Sequence, residues 1–119
     1  MILLEGGNVF KDAEGNPLTG RINQADVPAT VRWVEQATGI NFPKERWLGS
    51  TGKKDSSGDL DLGVDATQHN KEELATRLGQ WAASHGFKPE EYVKKSGSIV
   101  HFKTPINGRP DNGFVQTDF

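Results

Sequence analysis

Apolar residues recur along this chain at two spacings, and the change from one to the other marks out its elements. Val27, Val31 and Val34 return at helical intervals after Asp26, a good N-cap residue. Pro28 is tolerated in a first turn, and Gly39 supplies the stop. A second helical run covers about Lys71 to His85, with Leu74, Leu78, Trp81, Ala82 and His85 on one stripe, Asn70 as cap and Gly86 as terminator. Elsewhere the period falls to two. Arg46-Trp47-Leu48 reads as a short strand, Asp59 to Val64 as a second, and Ser98–Pro105 and Gly113–Phe119 as two more. The last two are joined by the turn-rich segment Asn107 to Asn112. Residues 1–25, rich in Gly, Asn and Asp, predict loop with room for a short strand. The order helix, strand, strand, helix, strand, strand predicts an α+β fold: a small mixed β-sheet with helices packed on one face.

Composition narrows this further. A chain of 119 residues is sized for one domain, 1–119, and its 34% hydrophobic content and 14 glycines predict a modest core with generous loops. A formal charge of −2 argues against a broad basic face that holds nucleic acid by phosphate neutralisation alone. The absence of cysteine excludes disulfides, thiolate metal sites and cysteine nucleophiles. The apolar run Met1-Ile2-Leu3-Leu4 meets Glu5 at once, too short for a signal peptide or a membrane span, so the expectation is a cytoplasmic protein with no membrane partner.

The chemistry concentrates between Leu48 and Leu62. On a strand, Asp59 and Asp61 project to one side while Leu60 and Leu62 project to the other. Two carboxylates on an open face suit magnesium, which prefers oxygen ligands and completes its shell with water and substrate phosphates. Asp118, on a later strand with Gln116 on its own face, becomes a third carboxylate of the same surface if the two strands pair. Upstream, Gly49 lets backbone approach a phosphate closely, and the Ser50 hydroxyl adds a donor. Lys53 and Lys54 stand in the following loop, placed to neutralise a triphosphate tail.

Gly49-Ser50, eight residues, then Asp59-Leu60-Asp61-Leu62 resembles the signature of the DNA polymerase beta-like nucleotidyltransferase superfamily. The resemblance covers residues 46–65 and 113–119. It implies a catalytic palm in which Asp59, Asp61 and Asp118 bind two magnesium ions and Asp118 helps activate an acceptor hydroxyl. Gly49 and Ser50 would hold the nucleoside triphosphate, and the acceptor could be RNA, a small molecule or a protein side chain. Members of that superfamily carry further helices after the third acid, so the expectation is the N-terminal part of a longer protein. The alternative is a palm kept as a non-catalytic nucleotide-binding or antitoxin-like module. An assembly component whose acidic face serves solubility is a third reading.

Rival motifs fail on spacing. A P-loop ending at Gly52-Lys53 needs Gly at 47 and Ser or Thr at 54, where Trp47 and Lys54 stand. An EF-hand loop starting at Asp59 has Gly63 at a ligand position and Asn70 where a glutamate belongs. His69, His85 and His101 share no metal-ligand spacing and read as structural, with His85 on the packing stripe. Trp33, Trp47 and Trp81 read as core, Asp65 as a solvated strand end, and Lys94, Lys95, Lys103 and Arg109 as solvated surface.

Overall fold

The computed structural model describes residues 9–119. In chain order the elements are β1 (Ile22–Asn23), α1 (Val27–Thr38), β2 (Trp47–Leu48), β3 (Ser56–Ser57), β4 (Asp59–Leu62), α2 (Lys71–Ser84), α3 (Pro89–Tyr92), β5 (Val93–Ser96), β6 (Ile99–Pro105) and β7 (Phe114–Asp118). Five strands make one sheet in the order β2-β4-β7-β6-β5, and β1 with β3 makes a separate two-stranded ribbon. Within the larger sheet β4 and β7 run parallel, while β2–β4, β7–β6 and β6–β5 are antiparallel. The sheet is therefore mixed and the fold is α+β.

Alternation decides which way each strand faces. Leu60 and Leu62 of β4 are 0% and 1% exposed, and Val115 and Thr117 of β7 are likewise buried. Phe102 of β6 stacks on Trp33 of α1 at 6.1 Å and meets Trp81 of α2 edge-on at 5.7 Å. The two tryptophans themselves touch edge to face at 4.9 Å. Both long helices thus cover the same side of the sheet. They bury Val27, Val31 and Val34 from α1 and Leu74, Leu78 and Ala82 from α2. Each such aliphatic side chain larger than alanine stabilises the fold by roughly 1.5–3 kcal/mol on full burial.

Several expectations change at element ends. Asp26 does not cap α1 with its side chain; it closes a 3-10 turn over Gln24–Asp26, and its Oδ1 accepts a hydrogen bond from Asn107 Nδ2 at 3.1 Å. Asn70 does cap α2, its Oδ1 accepting from the Glu72 and Glu73 amides at 2.7 and 3.4 Å. His85 is not on the buried stripe. Its backbone leaves helical geometry as the C-cap, so the ring is carried out to solvent against Trp81 at 4.6 Å.

Charge hid two elements. Lys94, Lys95 and Ser96 are exposed on the edge strand β5, where lysines protect unpaired backbone from other chains. Lys95 pairs there with Glu72 of α2 at 2.8 Å. The short α3 precedes it, opened by Pro89. The segment before β1 is more than loop. Phe10 is 1% exposed, the Val9 amide donates to Gln116 Oε1 at 2.9 Å, and the Gly20 amide donates to Phe114 O at 2.8 Å. Part of the sheet's second face is covered in this way. Residues 1–8, included in the loop expectation, lie outside the described residues. Among the described residues no helix is long and apolar enough to cross a membrane.

Candidate active site

The parallel pairing of β4 with β7 sets Asp61 directly opposite Asp118 and Asp59 opposite Gln116. Neighbouring strands stand about 4.8 Å apart, and residues in register share a face. Asp59, Asp61 and Asp118 therefore lie on one surface, with Leu60 and Leu62 on the other. The fold supplies the strand pairing that a third acid from β7 requires.

Antiparallel β2 places Leu48 opposite Asp61, so the chain turns at Gly49-Ser50 beside the acids. Gly49 has φ 57°, and a Cβ at that position would lie 3.8 Å from Asp61 Oδ2. Its left-handed backbone favours glycine, and the missing side chain keeps the approach to Asp61 open. The turn is fastened from both ends. The Thr51 amide donates to Leu48 O at 3.1 Å, and buried Thr51 Oγ1 accepts from the Asp61 amide at 2.8 Å. Ser50 Oγ donates to Ser57 Oγ at 3.1 Å, and Ser57 Oγ donates to Ser50 O at 3.1 Å. The Ser50 hydroxyl is thus also a structural link to the β1–β3 ribbon.

The two lysines are placed less tightly. Lys53 folds back and donates from Nζ to Trp47 O at 2.9 Å, while Lys54 is exposed in the loop. Gly52 has φ 70° and packs on the Trp47 ring, where a Cβ would come within 2.8 Å of Cε3.

Asp118 is held from behind. His101 is buried, and its Nδ1 stands 2.7 Å from Asp118 Oδ1. Gln116 Nε2 donates to the same oxygen at 3.0 Å. A carboxylate has no proton to give, so Nδ1 is the donor in the His101 contact. Two donors occupy Oδ1, which leaves Oδ2 for the acid face. His101 Nε2 is buried and makes no hydrogen bond among the described residues.

Burial raises the Asp59 carboxyl above the ordinary range, and Asp118 and Asp61 push it further by repulsion and by a hydrogen bond shared with Asp118; Arg21 opposes them. Asp61 is raised by burial and then by Asp118. Carboxylates gathered on one face repel one another, and a proton or a cation relieves that repulsion. The donor set is all oxygen, which fits magnesium. Among the described residues no group of three or more His, Cys, Asp or Glu side chains is gathered so that it could hold a metal ion. Magnesium does not need one, because one or two carboxylates with phosphates and water suffice.

Sequence reasoning missed Thr51, His101 and Arg21. Thr51 carried no signal beyond its place after Gly-Ser. His101 shares a strand face with Lys103, but only the β6–β7 register, His101 opposite Asp118, shows which neighbour it meets. Asp65 caps its own turn, accepting from the Thr67 amide and hydroxyl at 2.9 and 2.6 Å, and stays apart from the three acids as a strand-end residue. Lys103 is half-buried, its Nζ 4.6 Å from the Tyr92 ring centroid and 4.5 Å from that of Phe114, so it is a packed cation and not solvated surface. No protein-family model, no curated protein and no solved structure matches the chain.

Proposed function

We propose that this chain carries the catalytic palm of a magnesium-dependent nucleotidyltransferase, moving a nucleoside monophosphate from a nucleoside triphosphate to a hydroxyl acceptor. The reading rests on the resemblance of its Gly-Ser and Asp-x-Asp segments to the DNA polymerase beta-like superfamily. One observation carries it: Asp61 faces Asp118 across parallel strands, beside the Gly49 turn, where a Cβ would stand 3.8 Å from Asp61 Oδ2. Like charges placed directly opposite weaken a sheet, so their presence here asks for a cation.

Asp59, Asp61 and Asp118 would hold the metal. When bound, magnesium supplies charge stabilisation for the attacking and leaving oxygens at phosphorus. Asp118, steadied by His101 and Gln116, would take the proton of the acceptor hydroxyl through Oδ2. The acceptor oxygen forms a bond to the α-phosphorus as the bond to pyrophosphate breaks. Gly49 and Ser50 border the triphosphate.

The test is magnesium-dependent pyrophosphate release with Asp61→Asn and Asp118→Asn, each preserving side-chain size. Loss of at least about 100-fold is expected, the scale on which removing one group that stabilises transition-state charge acts. Unchanged turnover in either variant refutes the reading. A non-catalytic nucleotide-binding or antitoxin-like module is favoured by the commitment of the Ser50 hydroxyl to Ser57 and of Lys53 to the Trp47 carbonyl. It predicts triphosphate binding with no pyrophosphate released.

A further inference from the structure

The β1–β3 ribbon brings a cation to the acid face that the loop lysines do not match. Ile22 pairs with Ser57 and Asn23 with Ser56, so the antiparallel register carries Arg21 to a place opposite Gly58, the residue before Asp59. The guanidinium is pinned there. Nε donates to Ser56 Oγ at 3.0 Å and Nη2 donates to Ser56 O at 3.2 Å. Nη1 lies 3.3 Å from where a Cβ would stand on Gly58, so glycine leaves room for it. Nη1 makes no hydrogen bond, and Arg21 no ion pair, among the described residues. An arginine fixed along one edge, exposed along the other and next to a cluster of carboxylates is arranged to meet an anion brought to that cluster.

The same ribbon holds Ser57 on Ser50, so one small element ties both Arg21 and the Gly-Ser turn to the strand that carries the acids. Lys53 is committed to the Trp47 carbonyl, whereas Arg21 keeps Nη1 without a hydrogen bond among the described residues.

We infer that Arg21 binds the terminal phosphates of a nucleoside triphosphate whose α-phosphate lies at the acids, and so makes the site select triphosphates over monophosphates. This rests on the nucleotidyltransferase reading. The bound arm of the guanidinium keeps its plane fixed, and the exposed Nη1 edge offers charge-assisted hydrogen bonds to phosphate oxygens. When the α–β bond breaks, the same contact would stay with the departing pyrophosphate.

The experiment measures binding of the magnesium complexes of an α,β-methylene nucleoside triphosphate and of the matching monophosphate by calorimetry. Arg21→Gln should lose about 10-fold or more in triphosphate affinity, the scale for a hydrogen bond to a charged group, and leave monophosphate affinity unchanged. Arg21→Lys, which keeps the charge without the fork, should recover part of the loss. Ser56→Ala, which releases the Nε contact, should fall between wild type and Arg21→Gln and covers the case in which Arg21→Gln does not fold. Equal losses for both nucleotides would reduce Arg21 to a staple between β1 and β3 and overturn the inference. Unchanged triphosphate binding in Arg21→Gln overturns it alone. No triphosphate binding by the unaltered chain overturns it together with the nucleotidyltransferase reading.

Discussion

Replacing Asp61 by Asn tests whether the acid face is a strained arrangement waiting for a cation. Asp61 and Asp118 stand opposite on adjacent strands, so their charges are about 5 Å apart. Asp61 is partly solvated, and an effective dielectric of roughly 40–80 is appropriate for so exposed a group. Two like charges then repel by about 0.8–1.7 kcal/mol. Partial burial of the Asp61 carboxylate adds a cost of the same sign. Asn keeps the volume and removes both. The metal-free variant should therefore melt about 3–5 °C above wild type, taking about 1 kcal/mol and a domain of this size. Magnesium should reverse the order. With a dissociation constant of about 1 mM, about 10 mM magnesium stabilises the wild type by roughly 1.4 kcal/mol, and most of that gain should vanish in the variant. Thermal unfolding followed by circular dichroism, in chelator and in magnesium, reads both effects. A lower melting temperature for Asp61→Asn in chelator, or a magnesium shift as large as that of wild type, would refute the reasoning.

Two further outcomes follow from the same surface. Asp59 has its folded-state pKa raised by burial and by Asp118 and Asp61. The folded chain holds that proton more tightly than the unfolded chain, so its contribution to stability is lost as pH climbs from the ordinary carboxyl value, about 3.9, through the raised folded value. Urea unfolding across that range should show a smaller decline with pH in Asp59→Asn than in wild type, and an identical slope in the two would remove the claim. Thr51→Val should cost about 1–3 kcal/mol, because the Asp61 amide loses the Oγ1 acceptor at 2.8 Å in a buried turn. Denaturant midpoints measure this, and a midpoint equal to wild type would show that water replaces the hydroxyl.

The long elements were legible because their patterns are long. Val27, Val31 and Val34 mark α1, the capped run after Asn70 marks α2, and of the two C-terminal strands β6 starts one residue later than expected and β7 is one residue shorter at each end. The short alternation of Asp59 to Leu62 was enough to separate its acids from its leucines. What escaped was set by pairing rather than by local pattern. Strands of two residues such as β1 and β3 have no period to read, so nothing in Arg21 or Ser56 announces their meeting. The edge strand β5 is disguised by its lysines, whose role at an edge is to be polar. His101 needed the β6–β7 register to become the neighbour of Asp118. Val9 and Phe10 fall in a segment that reads as loop, because the groups they meet, Gln116 and Lys94, belong to strands from the other end of the chain.

The arrangement of charge on the exposed face runs against what a sheet built for stability would use. Across from Asp61, a lysine, arginine or threonine would have been favourable; Asp118 is not. The nearest cation shown to act on Asp59 is Arg21, and its hydrogen bonds go to Ser56 rather than to any of the three carboxylates. The two donors on Asp118, His101 and Gln116, meet Oδ1 alone and leave the face between the acids without a counter-charge from them. Each departure could have been removed by one substitution without disturbing Leu60, Leu62 or the helices behind them. Local rules broken together in one place, while the core a few ångströms away obeys them, are the pattern expected where binding rather than folding sets the residues. The leucines and the aspartates of β4 thus answer to different demands through one alternation. The buried side holds the strand in register, and that register is what brings Asp118 to Asp61.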